Sequence, residues 1–321
     1  MLYKHHTIDT ILRRVVIGLN ALHSGRDPES NKELAGSCRF ALTEIKGDWL
    51  WHKEVFRFKS MWTQMAHVCY RCDACADVNN SSHVWSSTSE SPTWVEHDLV
   101  QFLVREIGNT ASPCPLILCK GFHPALLMIC SMHVLNLGLA YDCNGAAMMA
   151  LINCSYFGAT DLSLEERFAN AYDDFRNFLR SEKISCSQPP FRPSMVMKKD
   201  GQCAFTCKAY NGRCVAEWLC ACLADAAQRP EMLSQDERLP LLSSLMTSMV
   251  RYFGITERNG RFLSADQADE VHKTIVNFCR RYTSLAWAAV RRGVDEFRLR
   301  PKIHAWRSAH IHAKEPAGLC A

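Results

Sequence analysis

The sequence has no apolar run long enough to suggest a membrane protein. Its most apolar window, Ala125 to Ala140, falls short of the roughly 20 residues a membrane span needs, and it carries His133 and Asn136. The opening stretch, MLYKHHTIDTILRRVV, lacks the apolar centre of a secretory signal. Nor is there a strong charge excess: 37 Lys and Arg against 33 Asp and Glu leave +4, too little to name a partner. No internal repeat is present, which excludes a solenoid. The 17 cysteines are odd in number and follow no framework spacing. This argues against a disulfide scaffold and predicts reduced thiols inside a cell.

What is present is ordinary globular material: 321 residues, 48% hydrophobic and 22% charged, enough for one or two cores. Ile8 to Leu22 has amphipathic helical spacing through Ile8, Ile11, Leu12, Val15, Val16 and Leu19. Residues 24–36 are polar and loop-like. Cys38 to Ile45 alternates as a strand and runs into Gly47-Asp48. The aromatic and basic stretch after it is predicted helical. Residues 79–92 are Ser-rich and loop-like. A short helix is expected over Trp94 to Ile107. Pro115 to Phe122 is the second strand candidate, followed by helical material from Leu126 to Asn153 with a break at Asp142 to Gly145. Beyond residue 160 the pattern turns helical. Ser163 with Glu166 and Ser264 with Gln267 are spaced as capping boxes. Leu164, Phe168, Tyr172, Phe175, Phe178 and Leu179 line one helix face. A Pro-containing loop over 187–212 is followed by helices over 214–228, 239–252 and 264–297. The expected domains are a helical segment and loop (1–35), an α/β core with the cysteine cluster (36–158) and a helical domain with a basic end (159–321).

Several residue groups could carry chemistry. Asp48, at a strand end, is either a carboxylate metal ligand or a turn aspartate. Cys69-x-x-Cys72-x-x-Cys75, with His67 beside it, could hold zinc, because a short knuckle turns two sulfurs inward. A closed site needs four ligands, and His83, His97, Cys114 and Cys119 are the candidates to complete it; the alternative is a set of free thiols. Cys130 and His133 lie three apart and would share a helix face, either as a reactive pair or as packing residues. From Arg280 to Lys314 nine cations face two acids. Arg291, Arg292, Arg298, Arg300, Lys302 and His304 are the candidate phosphate contacts, against a solvated helix face. His310-x-His312 is spaced for a metal on a strand.

The order of these motifs resembles the catalytic region of DDE-type transposases of the CACTA-like and Plavaka-like kind. The residues that carry it are Gly47-Asp48-Trp49, the Cys69-x-x-Cys72 cluster, Gly121-Phe122-His123, Ser131-Met132-His133 with Leu137-Gly138, a helical region, and Pro301-Lys302-Ile303-His304. The resemblance spans about residues 36–310, and the block from Ser131 to Gly138 is its most specific part. It implies an α/β fold, an RNase H-like mixed sheet with flanking helices, plus an all-helical insertion and C-terminal half. It also implies two magnesium ions held by carboxylates for DNA phosphodiester cleavage and strand transfer. Asp48 maps to the first acid. The second acid position is Cys130, a poor magnesium ligand. The third is expected beyond Lys302-x-His304, where Glu315 is the only acid. The expectation is a truncated, catalytically inactive, transposon-derived protein that retains DNA as a partner. Zinc is expected at Cys69, Cys72 and Cys75, and the location is nuclear, or alternatively cytoplasmic, with no membrane contact. A competing reading is a zinc-stabilised helical interaction protein without nucleic-acid chemistry. A third is a cysteine enzyme using Cys130 and His133, with Asp142 as the nearest orienting acid.

Overall fold

The computed structural model describes residues 2–60, 63, 66–76, 83–88, 94–108, 112–259 and 263–311. His312, Lys314, Glu315 and most of the Ser-rich stretch lie outside the described residues, as does the side chain of His310. The chain divides into two compact units, Met1–Cys130 and Ser131–Ala321.

The first unit is built from short pieces. Helix α1 (Leu2–His23) is followed by a polar loop, strand β1 (Ile45–Gly47) and helix α2 (Trp49–Phe56). Along α1 the expected apolar stripe is only partly used: Val16 is buried, whereas Ile11 and Val15 are exposed. Asp9, on the same helix, is buried and takes a two-pronged ion pair from Arg57 at 2.6 and 2.7 Å. That pair steadies Arg57 in the left-handed conformation (φ 60°) that ends α2. The centre of the unit is a ring cluster. Phe58 stacks on Phe56 with centroids 5.1 Å apart and lies 4.7 Å from Tyr70 and 5.4 Å from Phe102. All four are fully buried, each such ring contact adding about 1 kcal/mol beyond burial. Helix α3 (Leu99–Phe102) is capped by Asp98 and widens into a π-type turn ending at Ile107.

Among the described residues the expected RNase H-like mixed sheet is not present, and the fold is mostly helical. Its one sheet has two parallel strands of three residues, β1 and β2 (Leu127–Ile129), with Ile45 opposite Leu127 and Gly47 opposite Ile129. Of the expected strand over 38–45, only Ile45 enters the ladder. Pro115 to Phe122 is not a strand. Pro115 lacks an amide proton and its fixed φ suits a helical first turn, and Pro115–Leu118 form a 3-10 turn. The second strand lies further on, in a stretch whose apolar residues read equally well as helix.

The described elements of the second unit are helical, apart from one isolated bridge between Met197 and Cys203. A wide π-type turn, Met132–Leu139, leads into α4 (Ala140–Asn153). The expected break at Asp142 to Gly145 is absent. Gly145 serves a different need, since a Cβ there would lie 2.4 Å from the Ala204 backbone; the 203–205 segment rides against α4, and the Phe205 amide donates to the Tyr141 carbonyl at 2.8 Å. Then follow α5 (Leu164–Ser181), α6 (Pro193–Val196), α7 (Ala209–Ala226), α8 (Pro230–Leu233), α9 (Leu239–Arg258), α10 (Ala265–Arg292) and α11 (Lys302–Ile311). Both expected capping boxes form, at Ser163 and Ser264. Helix α10 ends earlier than expected, because Gly293 takes the left-handed conformation (φ 68°). Helices α7, α9 and α10 pack together, with α4 on α7. Trp218 of α7 is surrounded by Phe157, Phe175 and Phe191 at 5.4–5.6 Å, and its indole N–H donates to Asp174 at 2.6 Å. Among the described residues no helix is long and apolar enough to cross a membrane.

Candidate functional site

Three clusters contain the residues singled out by sequence. The first is the strand-end pair. Beyond the Gly47–Ile129 register, the Cys130 amide donates to the Gly47 carbonyl at 2.8 Å. Asp48 and Cys130 are therefore the next step on two neighbouring parallel strands, whose backbones run about 4.8 Å apart. Gly47 is required here: a Cβ would sit 2.4 Å from the Trp51 ring. Asp48 is extended (φ −73°, ψ 167°), and one carboxylate oxygen accepts from the Trp51 amide at 2.6 Å, capping α2. Both Asp48 and Cys130 are half-buried. The donor set, one carboxylate and one thiol, does not fit magnesium, which takes oxygen ligands.

Beneath this pair lies His52, which the sequence reading did not single out. Its ring nitrogens lie 2.7 Å from the Tyr70 hydroxyl and 3.2 Å from the Ile45 carbonyl. Burial pulls its pKa down to about 4, against the opposing pull of the Ile45 carbonyl and the Asp48 charge. The imidazole is thus neutral at physiological pH and ties α2 to the base of β1.

The spacing argument for Cys130 and His133 fails on backbone grounds. Cys130 follows the end of β2, with its amide spent on Gly47, and the helical turn that holds His133 begins at Met132 and is π-type rather than α. The two residues do not share an α-helical face. Asp142, the proposed orienting acid, is committed elsewhere. It is buried in α4, accepts from Gln202 at 2.7 Å, lies 3.1 Å from the Tyr282 hydroxyl and pairs with Arg300 at 3.6 Å. Burial raises its pKa, and Arg300 opposes that rise.

The second cluster is the cysteine turn. Cys69, Cys72 and Cys75 are all buried. The Arg71 amide donates to the Cys69 sulfur at 3.4 Å, and the Ala74 amide to the Cys72 sulfur. An amide two residues on, aimed at each sulfur, makes a tight turn in which both sulfurs face inward. The Cys69 and Cys72 sulfurs lie within 4.8 Å of one another. Two thiols so placed fit the ligand type and spacing of zinc and supply half of a tetrahedral set. Burial raises the Cys72 pKa, and its neighbour Cys69 raises it further. Cys75 is drawn into a separate bridge with Val84. The expected completions are used otherwise. Arg105 donates to His97 at 2.6 Å and to His67 at 2.8 Å; burial lowers the pKa of both rings, and the Arg105 charge adds to the effect. His83 lies 3.4 Å from Asp73. Cys114 and Cys119 are buried, with the Cys114 pKa pushed up to about 11 by burial.

The third cluster is the basic C-terminal segment, where most of the expected phosphate contacts are engaged inside the protein. Arg292 pairs with Glu296 at 2.9 Å. Arg298 pairs with Asp295 and with Asp200, the latter at 2.8 Å, and Arg300 pairs with Asp142. Lys302 is half-buried and donates to the His133 carbonyl at 3.1 Å; burial lowers its pKa, with Arg300 adding to the effect. His304 is fully buried, so a direct phosphate contact from it is ruled out in this fold. Arg291 and Arg292 remain exposed.

Comparison with family models, with curated proteins and with solved structures finds no match.

Proposed function

We propose that this chain derives from a metal-dependent DDE-type DNA transposase, has lost cleavage and strand transfer, and retains DNA binding. The observation that carries the reading is the strand-end pair. Asp48 and Cys130, far apart in sequence, follow partnered residues of two adjacent parallel strands. A two-metal nuclease needs carboxylates at such positions, because its hard divalent ions are held by oxygen ligands. The reading rests on this pair and on the motif order, not on an RNase H-like sheet. Replacement of the second carboxylate by a thiol removes a negative charge and a hard ligand together, which accounts for the loss of activity. Zinc at Cys69 and Cys72 would stabilise the first unit in this reading, since metal bound only by the folded site adds to the folding free energy.

Cys130→Asp tests the reading by restoring the missing ligand. The variant is expected to bind manganese, detected by calorimetry and by loss of the free-ion paramagnetic resonance signal, while the parent chain and Asp48→Ala/Cys130→Asp do not. Robust magnesium-dependent cleavage by the parent chain, abolished by Asp48→Ala, would overturn the claim of inactivity. Failure of Cys130→Asp to take up manganese would count against the strand-end pair itself.

A further inference from the structure

Three thiols of the second unit converge on the start of α7. Cys186 lies on the segment that follows α5, Cys207 just before α7, and Cys214 in its second turn. Asn211, buried in the first turn of α7, anchors that segment: the Cys186 Sγ lies 3.5 Å and the Ser187 Oγ 3.4 Å from its Oδ1. Cys214 stands three residues beyond Asn211, on the same face of the helix. Its sulfur shares one hydrogen bond with the Cys186 thiol and another with the Tyr210 hydroxyl one turn back. Cys207 is engaged elsewhere. Its thiol donates to the Phe205 carbonyl at 3.7 Å, and a Cβ on Gly212 would meet its sulfur at 2.7 Å. Cys186 is half-buried, whereas Cys214 is buried. Residues 184–192 form no helix or strand. The Tyr172 hydroxyl donates to the Gln188 carbonyl at 3.1 Å, and Phe191 packs on Trp218 with centroids 5.6 Å apart. A disulfide needs Cβ atoms about 3.8 Å apart. A segment outside any helix or ladder can adjust to that without breaking a regular element.

We propose that Cys186 and Cys214 form a reversible disulfide that clamps this segment to α7 under oxidising conditions. The oxidant is a low-molecular-weight disulfide such as glutathione disulfide. The Cys186 thiolate, the more accessible of the two, attacks one sulfur of the oxidant; a mixed disulfide forms and one glutathione thiolate leaves. The Cys214 thiolate then attacks the Cys186 sulfur, the protein disulfide forms, and the second glutathione leaves. Two protein thiols have given up two protons and two electrons, and one glutathione disulfide has become two thiols. Burial pushes the Cys214 pKa up to about 12, with its neighbour Cys186 adding to the rise. Because only the thiolate attacks, this sets the order of the two steps. The bridge closes a loop of about 30 residues and so restricts the unfolded chain. That loop includes α6 and Phe191.

The test is to equilibrate the full chain with glutathione disulfide, block the remaining thiols with iodoacetamide, and map its peptides by mass spectrometry without reduction. The expected result is a linked pair of peptides carrying Cys186 and Cys214, lighter by two hydrogens than the two free-thiol peptides together and lost on treatment with dithiothreitol. Melting followed by circular dichroism is expected to show a Tm higher by roughly 5–10 °C after oxidation. Cys186→Ser should abolish both the link and the rise, while Cys207→Ser should leave both in place. Circular dichroism before oxidation will verify that each variant is folded, and the peptide map of the parent chain decides on the link without them. Cys186 recovered bonded to Cys207, or as a stable mixed disulfide with glutathione, overturns the inference. Recovery of Cys186 and Cys214 as alkylated thiols overturns it too. A Cys186–Cys214 link that leaves the Tm unchanged overturns the clamp.

Discussion

The two units achieve order by different means. In the second, helices of 14 to 28 residues present periodic apolar faces to one another. Its buried polar groups, such as Asp142 with Gln202 and Arg300, are inserted into an apolar interior. In the first, beyond α1, no described helix or strand exceeds eight residues. Its centre is a ring cluster, and its pieces are joined by a few polar contacts: His52 with the Ile45 carbonyl, Arg57 with the Asp9 carboxylate, and the Trp51 amide with Asp48. A long helix draws stability from many small contacts, none of which is indispensable. A unit of short pieces depends on a few specific ones. The residues with metal-binding and strand-end chemistry lie in the second kind of structure, where a side chain is positioned by its partners rather than by its element.

This contrast can be tested by substitution. The largest effect is expected from Trp218→Ala in the second unit, which removes a buried indole from among Phe157, Phe175 and Phe191 and should cost about 3–5 kcal/mol. Hydrogen exchange should show the loss across α5 and α7 while protection of the Phe56–Phe58–Tyr70 cluster is unchanged; a matching loss in the first unit would mean that the two do not hold separately. Next is the pH response of the first unit. His52 titrates near 6.5 when unfolded and near 4 when folded, so between these values the unfolded chain binds the extra proton. Its contribution is fully present above about pH 6.5 and is lost as pH falls toward 4, amounting to about 3 kcal/mol. Denaturant melts across that range should show the decline, and His52→Gln should flatten it. The smallest effect is expected from Ser264→Ala, which removes the cap of α10 and should cost about 1 kcal/mol in the same assay. A much larger loss would show that α10 depends on its start rather than on its packed face.

Much of the second unit was legible in the sequence. Phe168 and Phe175 fall on the expected face of α5 and are fully buried, and both capping boxes form where the spacing placed them. These signals are local: the residues that decide a helix and its ends lie within a few positions of one another. The first unit was read less well. Leu127–Ile129 and Pro115–Leu118 are both short apolar runs, and strand or turn was decided by which could reach β1. The basic segment misled for a related reason. A count of cations cannot show that Arg298 and Arg300 end on Asp200 and Asp142, or that His304 is buried.

The sequence by itself determined that the second half would be a helical core with fixed ends, because helical periodicity and capping act over three or four residues. It also placed Asp48 at the end of a strand. Only the tertiary structure decided that Cys130 would stand beside Asp48, that Cys69 and Cys72 would turn their sulfurs together, and that Trp287 would be left facing outward. Strand pairing, sulfur approach and the buried or open side of a helix all depend on contacts between residues distant in the chain, which no local pattern encodes.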